Sequence, residues 1–264
     1  MRKYKALIVL VVIPMVAILF LGCAGTVPIP RLIKGSGKVI TKEMQFVDFT
    51  SVEIGSAFEV EIQESGSYLT AITANENLFD YITAVKEGKT LKISLTPSYN
   101  YRGVTLKARI TLPKLSGVRL YGATKGVIKG FQSSNDFDLK LSGASSLDLD
   151  MGVGDAKVEM SGATGVTGNL KARDTEFDVS EASKVKLKGS ADKMKLSASG
   201  ASKLELNDFP LEQADVTLSG ASEASIKVSS RLDVVLTGAS KLYYKGDPMI
   251  GDIIVSDASQ IKRR

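Results

Sequence analysis

One short phrase recurs through the back half of this 264-residue chain at a nearly fixed interval. It reads SGAS or a close variant: LSGASSLDLD from Leu141, SGASKLELND from Ser199, LSGASEASIK from Leu218 and LTGASKLYYK from Leu236. With its alanine taken as position zero, copies stand at Ala123, Ala144, Ala163, Ala182, Ala201, Ala221, Ala239 and Ala258, spaced 18 to 21 residues apart. A period near 19 marks a repeat architecture, in which each unit buries its apolar face only by stacking on its neighbours.

The columns of the repeat define its local structure. Five residues before the alanine stand Val118, Leu139, Val158, Phe177, Leu196, Val216, Val234 and Ile253. Three before it, Leu120, Leu141, Met160, Val179, Ala198, Leu218, Leu236 and Val255 are again all apolar, with mostly polar residues between the two columns. The alternation resumes three and five positions past the alanine, with Leu147, Leu149, Leu204 and Leu206 as examples. Period two with one apolar face is a half-buried strand. Each repeat is therefore two short strands around a Ser-Gly-Ala-Ser corner. Gly precedes the alanine in six copies, and Glu181 and Asp257 replace it in two, so this position calls for a tight or positive-φ backbone. The alanine column is expected to be a corner too narrow for a larger residue. The Ser or Thr that always follows is expected to hydrogen-bond the turn backbone and its neighbours in the stack.

Stacked at about 4.8 Å, eight such units form a prism about 35–40 Å long with a continuous core. The fold class is all-β: a single-stranded parallel β-helix or β-solenoid of about 19 residues per rung, over 118–264. A β-propeller needs about 40 residues per blade, and helix-length periodicity is missing after the N-terminus. Residues 36–117 are β-rich but irregular. SVEIGSAFEVEI fits the template with Ala57 at zero, placing Val52, Ile54, Val60 and Ile62 in the buried columns. The strands YLTAITA, TLKISLT and VTLKARITLP are expected to cap the first rung, since a bare sheet edge invites pairing.

The N-terminus reads as an address. MRKYK and the apolar run Ala6–Leu21 suit a signal peptide over residues 1–22 better than a membrane span of about 20 residues. FLGC resembles a bacterial lipoprotein signal, making Cys23 the expected acylation site and the membrane its lipid-mediated partner. Phe20 departs from the Leu usual in such signals, and the competing reading is an uncleaved N-terminal membrane anchor with an incidental cysteine. Residues 23–35 then form a spacer between lipid and fold. Ala24 does not resemble an inner-membrane retention signal, which favours the outer membrane or cell surface.

Composition narrows the chemistry. There is no His, so the commonest base and metal ligand and the Ser-His and Cys-His pairs are all missing. Three of the 34 basic residues (Arg2, Lys3, Lys5) precede Cys23, leaving 31 against 29 acids. That near balance argues against a nucleic-acid partner. Asp136, Asp138, Asp148 and Asp150 suggest a metal or lyase site, but acids and bases alternate in the stacked column Val127, Asp148, Thr167, Lys186, Glu205, Ser225, Tyr243, Lys262, as on a solvated wall. Asp138 and Asp150 remain able to meet a neighbour across rungs. Ser183-x-x-Lys186 matches a serine-acylase motif whose serine opens a helix, whereas here it sits at a strand corner. Lys125, Lys184, Lys203 and Lys241 share a column suited to anionic glycan or headgroups, interrupted by Ser146, Gly165 and Glu223. The densest aromatic-polar cluster is Tyr99, Tyr101 and Arg102 in the loop PSYNYRG, a candidate ligand contact.

GSAFEVEI, ANENLFDYI, TLKISL, ITLPKL and the SGAS rungs together resemble the putative auto-transporter adhesin, head GIN domain family, over about residues 45–240. The resemblance implies a right-handed parallel β-helix-like domain on exported bacterial envelope proteins, often lipoproteins, with no established activity and no catalytic residues. The expectation is a non-enzymatic adhesin or scaffold without cofactor or metal, acting by multivalent contacts. Its candidate partners are cell-surface glycan or other envelope proteins. The competing expectation is a polysaccharide-binding or polysaccharide-degrading protein working between the 95–103 loop and the solenoid wall.

Overall fold

The computed structural model describes residues 31–264; the expected signal and Cys23 lie outside them. From Gly117 onward the eight repeats wind as a parallel solenoid. Its strands are β10 (Gly117–Leu120), β11 (Lys125–Gln132), β12 (Phe137–Leu141), β13 (Ser146–Gly152), β14 (Ala156–Met160), β15 (Gly165–Lys171) and β16 (Asp174–Val179). These continue into the long bent strands β17 (Lys184–Ala198), β18 (Lys203–Leu218) and β19 (Glu223–Leu236), then β20 (Lys241–Lys245), β21 (Met249–Val255) and β22 (Gln260–Arg263). The numbering leaves room for nine strands before them.

Matching positions of successive repeats lie directly over one another. Leu141 pairs with Met160 and Met160 with Val179 in one parallel ladder, and all three are buried. The column around Leu147, Val166, Val185 and Leu204 stacks in the same way on the second wall. A third interior column, Phe137, Ala156, Thr175, Met194, Ala214 and Leu232, mixes large and small side chains and so fills the space between coils.

The corner confirms one expectation and corrects another. In all eight copies the residue before the alanine has positive φ, including Glu181 at 64° and Asp257 at 58°. At Gly143 (φ 75°) a Cβ would also meet the Gly122 backbone, its carbonyl oxygen at 2.8 Å, so glycine serves both conformation and close stacking. The alanines themselves are exposed in every copy, however, and do not pack a narrow corner. The residue that turns inward is the hydroxyl. Ser183, Ser202 and Ser222 are buried, and each donates to a carbonyl three residues back, Ser180, Ser199 and Ser219, at 2.8 Å. Thr164 and Ser183 hydroxyls also meet at 2.8 Å, joining adjacent coils. The corner turns its backbone outward, so alanine's small side chain points to solvent while Ser or Thr replaces water for the buried carbonyls.

The front of the chain is threaded out of order. In sequence come β1 (Arg31–Lys34), β2 (Val39–Met44), β3 (Ser51–Ile54), β4 (Glu59–Glu64), β5 (Leu69–Asn75), a 3₁₀ turn at Glu76–Leu78, β6 (Ile82–Glu87), β7 (Thr90–Leu95), β8 (Tyr99–Arg102) and β9 (Leu106–Leu112). β3 and β4 form the expected early coil: Val52 pairs with Val118, Ile54 with Leu120, Val60 with Gly126 and Ile62 with Ile128. On its other side lie β7 and β9, with Leu91 over Val52 and Ala108 over Val60. TLKISL and LKARITL are therefore a coil of their own, not cap strands. Its corner is replaced by the segment that carries β8. The cap is the antiparallel part: β6 on β7, β5 on β9 and β2 on β5. β9 thus fills a slot between β4 and β5, both earlier in the chain.

Candidate functional site

The residues singled out in the 96–105 insertion do not act as one group. Tyr99 and Tyr101 lie on one face of β8 and close on Tyr81, with ring centroids 5.0 Å (Tyr81–Tyr99), 6.2 Å (Tyr81–Tyr101) and 6.4 Å (Tyr99–Tyr101) apart at tilted or edge-on angles. All three are half-buried against the core. The Tyr101 hydroxyl donates to the Thr96 carbonyl at 2.8 Å. Burial, and next the neighbouring Tyr99 and Tyr81, push its pKa above the ordinary phenol value. Strand alternation turns Arg102 the other way, to solvent beside Lys34, its partner in the β1–β8 pair. That pair also shows that Arg31–Lys34, read as spacer, form a strand.

Two asparagines of the NEN segment clamp the insertion. Asn75 is buried; its side chain donates to the Ser36 carbonyl and accepts from the Thr105 amide at 2.7 Å. Asn77 accepts from the Ser36 amide and donates to the Lys34 carbonyl, both at 2.8 Å. In the sequence, NEN reads only as punctuation between strands.

The acids flagged in the sequence separate onto two walls. Asp138 faces out from β12 beside Lys157, and Asp150 faces out from β13, accepting from Asn169 at 3.0 Å. Asp136 adjoins Asp155, whose amide it accepts at 2.9 Å. Asp155 is ion-paired to Arg173 at 2.6 Å, and that hydrogen bond holds its pKa below the usual carboxylate value. Among the described residues no three acids converge at metal-ligand spacing. Ser183 points into the core while Lys186 points out, so the two cannot form a nucleophile-base pair.

A concave site missed at the sequence level lies across the outer face of β2, β5, β9, β4 and β11, a cavity of about 690 Å³. It forms where the antiparallel cap meets the parallel wall. The register builds it from two rows. One runs Thr41, Thr73, Lys107, Glu59, Lys125; the other runs Glu43, Ala71, Arg109, Glu61, Val127. Leu69 and Lys129 also line it, with Val60, Ala108 and Gly126 between the rows. Lys107 pairs with Glu59 at 3.2 Å and Lys129 with Glu61 at 3.9 Å, all four side chains well exposed. The Thr41 and Thr73 hydroxyls meet at 2.7 Å. Small residues in mid-groove leave room, and charged donors and acceptors alternate along its length. Such a surface can hydrogen-bond an extended polar ligand. Its lining holds no nucleophile-base pair.

A second concavity, about 390 Å³, lies on the other wall beside the outward column Arg119, Lys140, Glu159, Asp178. Lys140 meets Glu159 at 2.7 Å, and this contact, more than that with Lys157, lowers the Glu159 pKa.

Known structures share the fold. A protein from Parabacteroides distasonis described as a putative lipid binding protein superposes with a TM-score of 0.84 at 20% identity, covering 89% of this chain and 100% of its own. A putative adhesin from Parabacteroides merdae gives 0.82 at 17% identity, covering 89% of this chain and 99% of that one. A putative adhesin from P. distasonis gives 0.81 at 16%, covering 88% and 100%. Among curated proteins none matches significantly. The family model described as putative auto-transporter adhesin, head GIN domain, matches residues 48–248, most of the chain, and the protein belongs to that family.

Proposed function

We propose that this protein is an exported, lipid-anchored module of the bacterial cell envelope that adheres, without catalysis, to hydroxyl-rich cell-surface glycan. The observation that carries the reading is the groove over β2, β5, β9, β4 and β11: ten side chains from five strands in two straight rows, eight of them polar, with cations, carboxylates and hydroxyls interspersed on a rigid sheet. An extended chain lying along these rows makes many weak contacts, and affinity comes from their number rather than from an enclosing pocket. Family membership and the adhesin descriptions of the structural relatives agree with it. Cys23, acylated, supplies the anchor, and the described chain enters the fold at the capped end.

The test is a glycan array probed with the full chain, repeated for Lys107→Ala/Arg109→Ala and for Tyr99→Ala. Loss of binding in the groove variant with retention in Tyr99→Ala supports the proposal. The reverse pattern assigns binding to the tyrosine cluster, and binding untouched by either variant overturns both. Because one relative is described as lipid binding, vesicles serve as a further arm: equal retention on vesicles lacking any glycan overturns the glycan assignment. Palmitate labelling of wild type, lost in Cys23→Ser, checks the anchor separately.

A further inference from the structure

The final coil is the level of the stack with nothing over it among the described residues. Its strands continue the interior columns: Ile253 follows Val234, Val255 follows Leu236 and Ile261 follows Leu242. Val234 is 1% exposed, whereas Ile253 is 44% and Ile254, one residue on, 59%. The second value matters more. Ile254 is not a core position but an outward one, in the column that carries Lys140, Glu159 and Asp178 in earlier coils and turns to Val235 and Ile254 at the last two. Packing within the chain does not call for aliphatic side chains there, so the apolar patch extends past the open core onto the wall.

The occupant that matches this surface is the same surface on a second copy. The capped end of another molecule matches less well: its outer strands β2 and β6 run antiparallel to their neighbours, and their exposed Val39 and Val85 are single residues set among Lys42, Glu43, Lys86 and Glu87. Charge selects among the self-pairings. Asp252 and Asp257 lie on and just after β21, and Lys262, Arg263 and Arg264 on and just after β22. A half-turn about an axis bisecting the corner at Ala258 lays β21 of each copy antiparallel on β22 of the other, setting Val255 against Ile261 and Asp252 against Arg264. Laying β21 on β21 instead sets Asp252 against its own copy.

We propose that two copies join C-terminal coil to C-terminal coil as a closed two-fold dimer, with β21 of one on β22 of the other. The pairing supplies hydrogen-bond partners to both exposed sheet edges and covers Ile253, Ile254 and Val255. It also places the two capped ends at opposite poles, so that, on the anchored reading above, the dimer links facing membranes.

Sedimentation velocity of the detergent-solubilised full chain tests this without glycan or membrane, so it stands or falls independently of the ligand assignment. The expected result is a mass of two chains. Ile254→Lys, at an exposed site, is expected to give one chain with an unchanged melting temperature. Arg264→Asp is expected to weaken association about tenfold or more, and adding Asp252→Lys to restore it. Val85→Lys on the cap is expected to leave the dimer intact. A single chain at every concentration, a mass growing beyond two, indifference to Ile254→Lys, failure of the charge swap to restore pairing, or dissociation by Val85→Lys would each overturn the proposal.

Discussion

At one end of this solenoid three antiparallel strands lie over the first coil; at the other, among the described residues, nothing lies over the last parallel coil. The same columns run into both ends, yet they meet different fates. Leu91, Ile93 and Ala108, in the coil beneath the cap, are buried as deeply as residues in mid-stack, while Ile253 and Val255 stand in the open. Burial in a stacked fold is thus a property of having a neighbour above and below, and identical side chains at identical positions differ in energetic weight according to level.

Paired substitutions turn that difference into measurements. In the Ile254→Lys monomer, where the last coil is uncovered, the largest contrast is expected between Val234→Asp and Ile253→Asp, which share a column. A carboxylate in the closed core costs about 4–5 kcal/mol, against about 0.5 kcal/mol or less at the open level. Urea titration reads both, and equal losses would remove the distinction between levels. Next comes Phe49→Ala, at a fully buried ring 5.1 Å from Tyr68 under the cap, expected to cost about 3–4 kcal/mol. Ile261→Ala at the bare end is expected to cost under about 1 kcal/mol. A cap that tolerated the first change would not be what seals that end.

The hydroxyl ladder sharpens the comparison at a smaller scale. Ser183→Ala removes donation to the Ser180 and Gly162 carbonyls and the contact with Thr164, and is expected to cost about 1–2 kcal/mol. Ser259→Ala, whose hydroxyl meets only that of Ser240, is expected to cost about 0.5 kcal/mol or less. Thermal melts decide between them, and equal shifts would mean that the ladder adds nothing by depth.

The smallest effect is electrostatic. Near the open end Arg231 depresses the Asp233 pKa through a side-chain hydrogen bond, as Arg173 does for Asp155 in mid-stack. A carboxylate whose folded pKa is depressed contributes stability that is present above its unfolded pKa, about 4, and lost as pH falls through the folded value. Both carboxylates are half-buried at the surface, where solvent screens the pair, so the expected signature is a low titration midpoint by NMR and little change in the melt between pH 7 and 5. A midpoint at the ordinary carboxylate value would show the ion pair to be absent in solution.

Much of this was legible in the letters. A ladder carries its register in its period, so aligning Ala144 with Ala163 already aligned Leu141 with Met160. The coil centred on Ala57 was placed in the right register for the same reason. Its level was not legible: Val52 pairs with Val118 above and Leu91 below, and either could have followed it, because every coil offers a similar edge. The alanine column misled because smallness has two causes, a crowded interior and a turn whose backbone faces water, and only the path of the chain separates them. The groove was invisible for a related reason. Glu43, Lys107 and Glu59 are far apart in sequence, and nothing local declares that β9 enters between β4 and β5. Tyr81 escaped notice because it belongs to a turn distant in sequence from the tyrosines it touches.

That insertion of β9 imposes a schedule on the molecule's birth. β4 and β5 share no ladder until residues 106–112 arrive to bridge them, so a chain synthesised N-terminus first holds roughly its first two-fifths without a closed sheet. Once that clasp snaps shut it becomes a template, and each later coil needs only its own nineteen or so residues to dock. Deletions from the tail should therefore shorten the rod one step at a time, while a lesion before residue 112 denies every following coil the edge on which to begin.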